Sequence, residues 1–126
     1  MIDATVDTFD ALTGAGEVLI DIWGPACRPC VALMPAVEAL EERYGDRVRF
    51  LKVNAPANRK VCRDLRVAGL PAYLTMRDGV EVERLTSDGT TPDQIEAAVV
   101  RLIEGAPAAG PPVPEHLREQ ADARRR

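Results

Sequence analysis

A strand, a cysteine pair and a helix follow one another without interruption, and this run constrains the chain more than any other feature. Val18 to Trp23, VLIDIW, is apolar and β-branched and reads as a buried strand with a single acid, Asp21, inside it. Gly24, Pro25 and Ala26 form a loop, and Cys27-Arg28-Pro29-Cys30 follows. From Cys30 to Tyr44, the residues Val31, Met34, Val37, Ala39, Leu40 and Tyr44 recur at helical spacing. Pro35 falls inside this helix and is expected to kink it, and Gly45 ends it. A Cys-x-x-Cys at a helix start can be a metal clamp, a structural staple or a redox couple. The helix terminus favours thiolate on the first cysteine, and the second lies one turn further in.

Cysteine usage and charge narrow these choices. The chain has 126 residues, three cysteines and a net charge of −4. Its length suits one domain with a core of its own, and its acidity offers no broad basic surface for nucleic acid. The N-terminus reads as no signal peptide and no apolar run is long enough for a membrane helix, so a cytoplasmic setting is expected. Three cysteines in such a setting do not make a disulfide framework. Cys27, Cys30, Cys62 and His116 can be counted as a zinc set, but a structural site usually offers a second close ligand pair, so no metal is expected. Cys62, on the apolar side of a short helix, is expected to be a buried small hydrophobe.

Further elements place the pair in a fold. Thr5 to Leu12 reads as one or two helical turns with Asp7 as N-cap. Val48 to Val53 is a second strand, and Asn58 is expected to cap a helix through Leu65. Ala72 to Met76 and Val80 to Leu85 are strands joined by a turn at Asp78-Gly79. Thr91-Pro92-Asp93-Gln94 is a helix start with a capping box, and Gly105 stops that helix. The order is β-α-β-α-β-α-β-β-α if Met1 to Ala4 pairs as an edge strand. This predicts an α/β domain over 1–105, with helices on both faces of a mixed five-stranded sheet. Residues 106–126 hold four of the ten prolines and end in three arginines, which reads as a solvated tail.

Four features in order resemble the thioredoxin family over roughly residues 1–105: the strand with Asp21, the CxxC with Pro29, Pro35, and Gly69-Leu70-Pro71 before a strand and a DG hairpin. The resemblance implies a thioredoxin fold and a thiol–disulfide oxidoreductase that reduces protein disulfides. Cys27 is then the attacking nucleophile and Cys30 the resolving thiol of a redox-active disulfide. Asp21 is the buried acid that takes the resolving proton, and Lys52 is its lysine partner. Trp23, Ala26, Arg28, Gly69, Leu70 and Pro71, with Pro71 as a cis-proline, form the substrate surface. No cofactor is bound. Disulfide-containing clients and a thioredoxin-reductase-type donor are the implied partners, and a monomer is expected.

This chain departs from the family pattern around the thiols. Ala26 stands where a tryptophan is usual, Arg28 where glycine is usual, Val31 where a basic residue often follows, and Ala72 where threonine usually follows the proline. Asn54-Ala55-Pro56 lacks the acids common there. Trimming at Ala26 and Ala72 leaves a second reading, a binding or chaperone-type module with secondary redox activity. Arg28 beside Cys27 is expected to favour its thiolate and raise the potential of the couple.

Overall fold

A computed structural model describes residues 1–86 and 89–108. The elements are β1 (Ile2–Asp3), α1 (Phe9–Thr13), β2 (Glu17–Trp23), α2 (Arg28–Tyr44), β3 (Arg49–Asn54), α3 (Arg59–Asp64), β4 (Ala72–Arg77), β5 (Val80–Leu85) and α4 (Pro92–Ile103). The strands form one sheet in the order β1-β3-β2-β4-β5. β1, β3 and β2 run parallel, while β4 is antiparallel to β2 and β5 to β4. The expected order, the edge strand at the N-terminus and the mixed five-stranded sheet are all present.

Alternation along β2 divides the core in two. Val18, Ile20 and Ile22 face one side, with Leu51, Leu74, Phe9 of α1 and Val61 of α3. Leu19 faces the other, with Phe50 and Tyr73, against Val37 and Leu40 of α2 and Ile95, Val99 and Leu102 of α4. Helices thus cover both faces, and each large apolar side chain removed from water contributes roughly 1.5–3 kcal/mol. Asp21, between Ile20 and Ile22, projects to the α2 side by the same alternation.

Turn and cap chemistry fix the joints. Asp78 and Gly79 take φ of 51° and 82°, the left-handed values a two-residue hairpin turn requires. The Thr91 side chain accepts from the Gln94 N–H at 3.2 Å and the Gln94 side chain accepts from the Thr91 N–H at 2.9 Å, completing the expected capping box. At the far end of α4, the Arg77 guanidinium donates to the carbonyls of Leu102 and Ala106, each at 2.7 Å.

Three local expectations change. α1 is a single turn whose N-cap is Thr8 rather than Asp7, and the Thr8 hydroxyl accepts from the Thr5 N–H at 2.9 Å instead of capping. Asn58 stands at the N-cap of α3 but makes no capping bond. Its side chain accepts from the Val6 N–H at 3.1 Å and donates to the Asn54 carbonyl at 3.0 Å, tying α3 to the segment before α1. α2 begins at Arg28, earlier than expected, and runs through Pro35 to Tyr44. The 106–126 tail lies outside the described residues from position 109 onward, as does His116.

Candidate functional site

The site begins where β2 ends. Cys27 is the N-cap of α2, and its Sγ accepts from the Cys30 N–H at 3.3 Å. Pro29 sits in the first turn, where a helix has no use for the N–H that proline lacks. Cys27 and Cys30 are joined as a disulfide with Cα atoms 5.3 Å apart. Cys27 is half-buried, whereas Cys30 is fully buried. Any incoming sulfur therefore meets Cys27 first. The N-terminus of a 17-residue helix lies at that sulfur, which the Cys30 N–H meets, and it favours negative charge there.

Asp21 is 0% exposed, and neither carboxylate oxygen has a hydrogen-bond partner among the described residues. Burial pushes its pKa up to about 7, with nearby Lys52 pulling the other way. A carboxyl at that value holds and releases a proton near neutrality. Lys52 sits opposite Asp21 in the β2–β3 register. Its ammonium is 3.7 Å from Asp3 and 5.8 Å from the centre of the Trp23 ring. It acts on Asp21 through space, not through a hydrogen bond.

The remaining predicted residues lie at the end of β2, around the start of α2 and just before β4. Ala26 and Arg28 are exposed, and Arg28 has no ion pair among the described residues. Trp23 is half-buried, and its buried indole N–H has no partner among the described residues. Gly69 is exposed, Leu70 half-buried and Pro71 buried, and the Leu70–Pro71 peptide is cis. This loop packs against the one before the cysteines: a Cβ on Gly24 would lie 3.3 Å from Leu70 Cδ1 and 3.6 Å from Pro56 Cδ. The Gly24 carbonyl in turn accepts from the Cys27 N–H at 3.0 Å.

Tyr73 takes a place that the sequence did not assign, and Cys62 departs from its expected burial. Tyr73 pairs directly with Asp21 across β2 and β4, is buried, and its hydroxyl has no partner among the described residues. Burial raises the pKa of that phenol, and the Asp21 charge adds to it. Alternation from Pro71 was the available signal. Cys62 is half-buried rather than buried; it is a free thiol packed on the α3-side core, and burial raises its pKa. No group of three metal-ligating side chains occurs among the described residues, and none of their helices is long and apolar enough to cross a membrane.

Known proteins share this arrangement. The thioredoxin family model matches residues 1–101. A thioredoxin of Acetoanaerobium sticklandii is 37% identical over 105 residues, covering 82% of this chain and 100% of that protein. A thioredoxin of Bacillus subtilis is 34% identical over 94 residues, covering 75% of this chain and 88% of that protein. The fold matches the structure of Malassezia sympodialis thioredoxin with a TM-score of 0.75 at 23% identity, covering 82% of this chain and 91% of that one. With its sheet, its Cys27–Cys30 disulfide and its relatives in agreement, the chain belongs to the thioredoxin family and is a thiol–disulfide oxidoreductase.

Proposed function

We propose that the protein works as a monomer in the cytoplasm, reducing disulfides of client proteins with electrons from a separate reductase. The supporting observation is the contrast between half-buried Cys27 and fully buried Cys30 at the start of α2, the helix on the sheet face to which Asp21 projects, with Asp21 itself buried and without a hydrogen-bond partner among the described residues. The Cys27 thiolate attacks one sulfur of the client, forming a mixed disulfide and releasing the other client sulfur as a thiolate. Cys30 loses its proton to the Asp21 carboxylate and attacks Cys27 Sγ. The Cys27–Cys30 bond forms, the bond to the client breaks, and the departing client thiolate takes up a proton. The client gains two electrons and the protein is left oxidised until a reductase returns them.

No bound group is required by this cycle. Lys52 tempers the raised pKa of Asp21, and Trp23, Ala26, Arg28 and the Gly69-Leu70-Pro71 loop meet the client. The chaperone-type reading loses one of its supports, because Ala72 is buried in the core and exposes no trimmed surface. Insulin-disulfide reduction with Cys27→Ser as control tests the proposal. Wild type should precipitate the insulin B chain and the variant should not; equal rates would reject reduction as the function.

A further inference from the structure

Between α3 and the loop before β4 lies a groove of about 550 Å³ lined by Pro56, Arg59, Cys62, Arg63, Val67 and Leu70 among others. Its volume is in the range of pockets that hold ligands, roughly 300–1,000 Å³. Two of its lining residues also lie against the loop that precedes Cys27. Leu70 and Pro56 form its wall and also crowd Gly24, whose carbonyl holds the Cys27 N–H. A client bound through Cys27 therefore passes this groove.

The floor is mostly apolar and the rim is cationic. Arg59 and Arg63 are exposed, one helical turn apart on α3, and neither has an anion among the described residues. Like charges at this spacing cost a helix stability. The same short helix shows the contrast: Lys60, outside the groove, pairs with Asp64 at 2.9 Å. Arg84, which reaches the end of α3, is engaged by Glu81 and by the carbonyls of Leu65 and Arg66. In a chain of net charge −4, the unpaired arginines stand where a client would lie.

From this we infer that Arg59 and Arg63 select clients whose reactive cysteines are flanked by Asp or Glu, the flanking segment lying in the groove with its carboxylates on the two guanidinium groups. The inference rests on the client-reduction reading above. A guanidinium presents a planar fork suited to carboxylate. At exposed positions such pairs act mainly on the rate of encounter and are screened by salt.

The test uses the full-length reduced protein and three disulfide-cyclised peptides identical except for the flanking residues, all Glu, all Gln or all Lys. The rate constant for oxidation of the dithiol is measured by stopped flow. The Glu peptide is expected to react about tenfold faster than the Lys peptide at low ionic strength, the low end of charge steering, and the ratio should shrink in high salt. Arg59→Gln/Arg63→Gln should collapse the ratio, and Arg59→Glu/Arg63→Glu should invert it, both leaving the Gln peptide unchanged. A ratio near one in wild type, or one that survives the double substitutions, overturns the inference while reduction of the Gln peptide upholds the oxidoreductase cycle. Failure of all three peptides to react overturns both.

Discussion

Asp21 and Lys52 stand opposite each other in the parallel β2–β3 register, yet no hydrogen bond joins them. Lys52 turns toward Asp3 and the Trp23 ring, leaving a buried carboxyl whose charge is tempered only at a distance. An ionised carboxylate there lacks the donors that normally offset desolvation. The stability of the fold and the proton inventory of the site are coupled through this one group.

That coupling has a sign. The folded-state pKa of Asp21, about 7, lies above the ordinary value of 3.8. Its contribution to stability is therefore fully present below about pH 4 and is lost as pH rises through about 7. Asp21→Asn should match wild type in denaturant unfolding at pH 4 and exceed it at pH 8, by at most about 4 kcal/mol. The same substitution should slow resolution of a mixed disulfide on the order of 10²-fold at neutral pH. Equal stability at both pH values would show that the group is solvated.

Lys52 lowers the Asp21 pKa, so removing its charge should raise it. Lys52→Met is expected to shift the Asp21 titration upward when followed by carbonyl NMR of the oxidised protein. A downward shift would contradict the through-space assignment.

Tyr73 presents a buried hydroxyl with no partner beside Asp21. Removing an unsatisfied group from the core relieves a desolvation cost, so Tyr73→Phe should leave the protein as stable or more stable by about 1 kcal/mol. Urea unfolding measures this; a clear loss would reveal a hydrogen bond absent from the account.

Arg28 is exposed and unpaired in the motif itself. Its charge favours the Cys27 thiolate and hence the reduced form. Arg28→Gly should make the couple more reducing, by less than about 30 mV because water screens an exposed guanidinium. Equilibration against glutathione reads the shift; no change, or a more oxidising variant, would contradict it.

Much of this was legible in the sequence because it is local. The unbroken apolar run of VLIDIW marked a buried strand around Asp21, helical spacing placed α2, and Thr91 and Gln94 marked the start of α4 through their own side chains. What stayed hidden depends on contacts distant in the chain. The start of α2 moved to Arg28 because Cys27 itself caps it. Asn58 looked like a cap but is drawn off by Val6, 52 residues away. The side on which Tyr73 meets Asp21 is settled only by β2–β4 pairing, and the Arg59–Arg63 rim becomes a groove only when α3 is packed beside Leu70.

In the proposed cycle, accessible Cys27 attacks and buried Cys30 resolves. Mass spectrometry of the Cys30→Ser and Cys27→Ser variants, each reduced and mixed with an oxidised client, tests it most directly. A stable client adduct is expected on Cys27 of the first variant and none on the second. An adduct on Cys30 of the Cys27→Ser variant, with none on Cys27 of the other, would contradict it.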